Sequence, residues 1–116
     1  MKIFITGSSG FIGFHLAKKL LNKGIKVYGF DSMNNYYDIE LKRARLSILR
    51  KYKNFSFTKE NLLNEKKLSN CIIKFKPQII IHLAAQAGVR HSIKNPDLYL
   101  NANILGTFNV LKIANK

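Results

Sequence analysis

Three glycines, Gly7, Gly10 and Gly13, recur at three-residue intervals in Thr6-Gly7-Ser8-Ser9-Gly10-Phe11-Ile12-Gly13. The apolar run Ile3-Phe4-Ile5 precedes them and the amphipathic segment Phe11 to Lys23 follows, so they stand where a strand turns sharply into a helix. Each position has a physical reason to be glycine. Gly7 can take backbone angles closed to other residues, Gly10 lets a bulky anion approach the main chain, and Gly13 lets helix and strand pack closely. Main-chain N–H groups at the helix start, around Phe11 and Ile12, then face negative charge, helped by the positive end of the helix dipole. The chemistry is diphosphate binding, and a dinucleotide is the expected ligand.

The spacing is Gly-x-x-Gly-x-x-Gly, not the commoner Gly-x-Gly-x-x-Gly, and a glycine triplet alone is a weak signal. A second apolar run, Lys26-Val27-Tyr28-Gly29-Phe30, strengthens it by ending in Asp31, about twenty residues on, where a ribose-binding acid is expected. A carboxylate there accepts from both ribose hydroxyls and repels a 2′-phosphate, which favours NAD over NADP. The plainer alternative is a glycine turn in an unrelated α/β protein with a coincidental Asp31. Agreement of strand, loop, helix, strand and acid argues against it.

The rest of the chain supplies the elements that must position these groups. Asp38 is a plausible N-cap for a basic helix from Ile39 to about Lys51, whose apolar positions are Leu41, Ala44, Ile48 and Tyr52. Phe55 to Thr58 reads as a third strand, Asn64 to Phe75 as a helix with Leu68, Ile72 and Phe75 on one face, and Pro77 stops it. Gln78-Ile79-Ile80-Ile81-His82-Leu83 is a nearly unbroken apolar run, as in a parallel strand covered on both faces, and Ala84-Ala85 places small side chains after it. From Asp97 to Lys116 the pattern is helical, with Leu100, Asn103, Ile104, Thr107, Val110, Leu111 and Ala114 along one face. Strands alternating with helices predict an α/β fold, a Rossmann-type doubly wound parallel sheet of order 3-2-1-4.

The 116 residues fit one small domain or part of a larger one. No apolar run has the length of a membrane span and the first residues carry no signal-peptide pattern, so a cytoplasmic protein is expected. Cys71, the single cysteine, reads as a buried thiol, and His82 as a packed, hydrogen-bonded histidine rather than a metal ligand. The formal charge of +14 raises nucleic-acid binding as an alternative. Its lysines and arginines are spread over every segment, however, and no helix-turn-helix, zinc finger or aromatic RNA platform is visible.

With these residues assembled, the chain resembles the extended short-chain dehydrogenase/reductase family and, within it, the nucleotide-sugar epimerases of the UDP-glucuronate 4-epimerase group. The resemblance runs from Met1 to Lys116. It is carried by Thr6 to Leu16, by Asp31 with Asn35-Tyr36-Tyr37-Asp38, and by His82-Leu83-Ala84-Ala85-Gln86-Ala87-Gly88-Val89-Arg90 with Ser92 and Asn95-Pro96. It implies a tightly held NAD and a nucleotide-sugar substrate that is oxidised at C4 and reduced again on its other face. Carried over by position, Gly7, Gly10, Phe11, Ile12 and Gly13 hold the diphosphate and Asp31 the ribose. Leu83, Ala84 and Ala85 line the cofactor, and Arg90 and Ser92 lie near the sugar or diphosphate.

Two departures from the family pattern matter. At the adenine position the usual Gly-Asp-Leu is replaced by Glu60-Asn61-Leu62. Asn61 can accept from and donate to the adenine edge, whereas Glu60 is harmless only if its φ is not positive. The second departure concerns the family's Ser or Thr and its Tyr-x-x-x-Lys pair. Four residues beyond Tyr28, Tyr36, Tyr37, Tyr52 and Tyr99 stand Ser32, Glu40, Leu41, Ser56 and Asn103, and none is lysine. The expectation is that residues 1–116 are the N-terminal part of an NAD-binding domain without its catalytic and sugar-binding parts, inactive alone. A truncated product, a cut piece or one part of a split enzyme all fit, and a free-standing dinucleotide-binding module is the non-catalytic alternative. An open strand edge and an uncovered face of the last helix would favour self-association.

Overall fold

The computed structural model describes residues 1–33, 38–85, 94 and 96–115. Four parallel strands, β1 (Lys2–Thr6), β2 (Lys26–Asp31), β3 (Phe55–Lys59) and β4 (Ile79–His82), form one sheet in the order β3-β2-β1-β4. This is the predicted order. The chain winds outwards from β1 through β2 to β3, then returns past β1 to lay down β4 in register with it, Ile3 opposite Ile79 and Thr6 opposite His82.

Alternation of side chains along the strands divides the core in two. On one face Ile3, Ile5 and Val27 pack with Phe14, Ala17 and Leu21 of α1 (Phe11–Asn22) and with Leu49 of α2 (Ile39–Leu49). On the other, Phe4 and Phe30 pack with Leu68, Cys71 and Ile72 of α3 (Glu65–Phe75) and with Val110 and Ile113 of the last helix. Helices therefore cover both faces, the doubly wound arrangement. Cys71 is buried, as expected.

The caps follow from the sequence. The Asp38 carboxylate accepts from the N–H groups of Glu40 and Leu41, and the Asn64 side chain from that of Lys67. At the end of α1, Gly24 takes a φ of +80°, and Lys76 closes α3 in the left-handed region just before Pro77.

Two predicted faces differ from the observed ones. In α2 the inward stripe is Lys42, Arg45, Leu46 and Leu49, whereas Leu41 and Ile48 are exposed. Long cationic side chains cover apolar surface with their stems and carry their charge to its rim, so they take positions that a count of apolar residues assigns to solvent. The C-terminal stretch is not one regular helix. It runs through α4 (Pro96–Tyr99), a π-type segment (Leu100–Leu105) and α5 (Gly106–Ala114). The wider π turn shifts the helical phase, so that Gly106, Val110 and Ile113 are buried while Leu100, Ile104 and Leu111 face outwards.

Candidate functional site

The turn after β1 is built around glycine. Gly7 has φ +73°, and a Cβ there would lie 2.8 Å from the Ala84 nitrogen and 2.9 Å from the Leu83 carbonyl carbon. Close approach of the segment after β4 thus requires glycine as much as the backbone angle does. A Cβ on Gly13 would overlap the Gly7 carbonyl oxygen, so this glycine seats α1 on the loop itself. Gly10 is the N-cap of α1 and makes no side-chain hydrogen bond to the first turn. The N–H groups of that turn are left for an anion, as a diphosphate would need.

Thr6, at the end of β1, holds the opposite wall. Its Oγ1 accepts from the N–H groups of Leu83 (3.0 Å) and Ala84 (3.1 Å) and lies 2.7 Å from His82 Nδ1. With both lone pairs of the hydroxyl engaged, its proton goes to His82 Nδ1. The histidine is therefore the Nε2–H tautomer and donates to Thr107 Oγ1 at 2.8 Å. Burial lowers the pKa of His82 below its ordinary 6.5, in keeping with a neutral ring. Among the described residues no group of three potential ligands could hold a metal ion.

Asp31 differs from the free acceptor that the sequence predicts. It is 5% exposed, and its Oδ2 accepts from Ser9 N–H at 3.0 Å. Its Oδ1 accepts from Met33 N–H at 2.8 Å and lies 3.4 Å from the Lys42 ammonium. A carboxylate has roughly four acceptor positions, so about one remains for a ribose hydroxyl, not two. Asp31 ties the glycine turn to the end of β2 and holds Met33 at φ +56°, a left-handed angle that costs a non-glycine residue about 1–2 kcal/mol. Arg45 reaches the same loop, donating to the Ser9 carbonyl oxygen at 3.2 Å.

These groups converge on one cleft of about 750 Å³. It opens at the carboxyl ends of the strands, where β2 and β3 lie to one side of β1 and β4 to the other, the switch point at which doubly wound sheets bind ligands. Of the predicted residues it is lined by Gly7, Gly10, Phe11, Asp31, Asn61, Leu62, Leu83, Ala84 and Ala85. Ile12 and Gly13 do not line it: the Ile12 side chain is two-thirds exposed, and Gly13 acts behind the loop. Arg90 and Ser92 lie outside the described residues, as do Asn35 to Tyr37.

Glu60 has no positive φ, so the missing glycine leaves that turn undistorted. The Asn61 side-chain oxygen accepts from Leu63 N–H at 2.9 Å, which closes the turn into α3. One of the two acceptor positions of that oxygen is thereby used, and the amide nitrogen is left to donate to an adenine edge. Leu62 is buried beneath it, where Gly106 of α5 comes so close that a Cβ would sit 3.2 Å from the Leu62 side chain.

Four contributors escaped the sequence reading: Lys42, Arg45, Thr6 and Gly29. The first two are hidden among the many lysines and arginines of a basic helix. Thr6 could have been singled out as the hydroxyl residue ending β1 before the first glycine. Gly29 lies inside β2, where a Cβ would overlap the Ser8 hydroxyl, and a glycine interrupting a strand is the available signal.

The family described as GDP-mannose 4,6 dehydratase matches residues 4–116, a span that includes every residue lining the cleft. The chain belongs to this family. Among the chain's relatives, Protein CapI of Staphylococcus aureus is 50% identical over 112 residues, 97% of this chain and 33% of that protein. A probable UDP-glucuronate 4-epimerase of Rhizobium meliloti is 46% identical over 114 residues, 98% of this chain and 33% of that protein. A crystal structure of UDP-glucuronic acid 4-epimerase from Bacillus cereus, in complex with UDP-glucuronic acid and NAD, superposes with a TM-score of 0.88 at 36% identity. That match covers 97% of this chain and 36% of the other. The chain spans about a third of the length of the relatives it matches.

Proposed function

We propose that residues 1–116 are the N-terminal, NAD-binding part of a nucleotide-sugar epimerase acting on UDP-glucuronate. The observation that carries this reading is the convergence of the uncapped helix start, Asp31, Asn61 and the Leu83–Ala85 segment on one cleft at the sheet's switch point. The relatives support the choice of NAD and of UDP-glucuronate, since the Bacillus cereus enzyme was crystallised with both.

In this reading the turn from Gly7 to Gly10 and the first N–H groups of α1 hold the diphosphate. Asp31 with Lys42 holds the adenosine ribose, and the Asn61 amide meets the adenine. Leu83, Ala84 and Ala85 pass the nicotinamide half along their backbone, and Arg90 and Ser92 meet the sugar nucleotide. Bound NAD supplies the hydride acceptor and donor. Tyr28, within β2, is unsuited to proton abstraction. Burial and then the Cys71 thiol, which takes its hydrogen bond, push its hydroxyl above the ordinary value of 10, the opposite of what a base at neutral pH requires.

A cytoplasmic location accords with this function, and no helix among the described residues is long and apolar enough to cross a membrane. The nucleic-acid alternative rests on net charge alone, and two of the cations, Lys42 and Arg45, are directed to Asp31 and to the Ser9 carbonyl oxygen.

Calorimetric titration of the chain with NAD and with NADP tests the proposal. Saturable one-to-one binding of NAD, stronger than that of NADP, is expected. A folded chain that binds neither would overturn it.

A further inference from the structure

Arg45 stands where a cation needs a reason. It lies half-buried on the inward stripe of α2, and its Nη1 donates to the carbonyl oxygen of Ser9 at 3.2 Å. Ser9, fully buried, is thereby clamped from two sides, since its N–H donates to Asp31 Oδ2. The guanidinium carbon of Arg45 also sits 5.9 Å from the centre of the Phe11 ring, over its face, and Phe11 opens α1. One N–H is tied to the glycine turn and the plane rests on an aromatic ring, so the head group is held in place. A guanidinium carries N–H donors on each of its nitrogens, and the bond to Ser9 leaves most of them unspent. Arg45 and Phe11 both line the cleft.

Electrostatics makes this an unfavourable place for an unaccompanied cation. The start of a helix carries about half a positive charge. The first turn of α1 contains no acidic residue, and Gly10 offers no capping side chain. Among the described residues the ion pairs are Lys42 with Asp31, Arg43 with Glu40 and Lys112 with Glu65, so Arg45 has no carboxylate, and the buried acid of the site is already taken by Lys42. The cation and the helix end therefore share one rim with their charges uncompensated. An anion between them relieves both.

The bond to Ser9 does not by itself account for arginine. A neutral donor would serve that carbonyl oxygen, and an apolar stem would serve the packing. The planar, many-donor head is the part that matches a phosphate. Lys42, one turn earlier on the same side of α2, goes to Asp31, whereas Arg45 goes to the glycine turn. The two cations thus follow the order of ribose and diphosphate along the cleft.

We propose that Arg45 recognises the diphosphate of the ligand. Its unspent N–H groups donate to a phosphate oxygen, while its bond to Ser9 keeps the turn in the shape in which the first N–H groups of α1 meet the same diphosphate. The ligand class is a nucleoside diphosphate or a dinucleotide built on one. The inference rests on the NAD-binding reading and deepens it.

Calorimetric titration of the 116-residue chain with adenosine, ADP, NAD and NADP provides the test. The parent chain is expected to prefer ADP to adenosine. Arg45→Met should lower that preference about tenfold and change adenosine affinity by less than about twofold. Arg45→Lys, which keeps the charge without the fork, should recover part of it. Arg43→Met, which removes the same charge from the outer side of α2, should leave it unchanged. High salt should narrow the preference of the parent more than that of Arg45→Met. An unchanged preference in Arg45→Met, equal losses for adenosine and ADP, a loss confined to NADP, or an equal loss in Arg43→Met would each overturn the inference. Should Arg45→Met not fold, Arg45→Lys decides: a preference about threefold below that of the parent is expected, and the parental value overturns. A parent chain that binds NAD while its variants keep the preference refutes the role of Arg45 alone, whereas one that binds neither NAD nor ADP refutes the reading beneath it as well.

Discussion

Removing the Asp31 carboxylate should destabilise the fold before it affects any ligand. In Asp31→Ala the N–H groups of Ser9 and Met33 lose their acceptors at residues with little exposure, Ser9 being fully buried and Met33 8% exposed. An unsatisfied buried donor costs about 1–3 kcal/mol, which gives about 2–6 kcal/mol for the pair. Lys42, at 12% exposure, also loses its counter-charge, but its long stem lets it turn to water and limits that loss. Against a total stability of about 5–15 kcal/mol for a domain, the expected fall is a large share of the whole. Asp31→Asn keeps one acceptor and should cost about 1–3 kcal/mol. Lys42→Met, which leaves both backbone bonds intact, should cost the least of the three. Urea unfolding followed by circular dichroism measures the series. Equal stability of Asp31→Ala and the parent chain, within about 0.5 kcal/mol, would refute the role of Asp31 as a clamp between the glycine turn and the end of β2.

Other perturbations separate the remaining parts of the site. Gly13→Ala, which forces a Cβ onto the Gly7 carbonyl oxygen, should cost about 1–3 kcal/mol in urea unfolding and weaken NAD binding by moving α1 off the loop. The depressed pKa of His82 means that the unfolded chain binds its proton more readily than the folded one. Its contribution is therefore complete above about pH 6.5 and is lost as pH falls below that value; thermal unfolding across pH 7.5 to 5 should show the decline. Lys42→Met should raise the preference for NAD over NADP in paired titrations, because an unneutralised Asp31 repels a 2′-phosphate more strongly. Purified residues 1–116 should not convert UDP-glucuronate to UDP-galacturonate, since no tyrosine in the sequence has a lysine four residues on.

The sheet was readable because each strand is a short apolar run bounded by turn residues, and the order followed from the glycine turn, Asp31 and the alternation of elements. The site was readable in outline for the same reason: Gly7, Gly10, Asp31 and Ala84 are fixed by backbone geometry, which glycines, small residues and strand ends announce. Charges whose positions depend on long side chains were not. Lys42 and Arg45 lie on the inner side of α2 because their stems pack while their charged groups reach Asp31 and the Ser9 carbonyl oxygen, and hydrophobic periodicity does not register this. The phase of α5 was lost at Leu100–Leu105, where a π turn breaks the 3.6-residue repeat. Asn61 looked like an open acceptor because the turn bond to Leu63 depends on backbone geometry.

The most direct test of the cleft as a dinucleotide site is an amide chemical-shift map of the isotope-labelled chain titrated with NAD. Saturable changes at Gly7, Gly10, Phe11, Ser32, Ala84 and Ala85, with Lys67 and Lys74 on the far side of the sheet unmoved, are the predicted result. A folded chain whose spectrum does not change, or changes only on the face of α3, would contradict it.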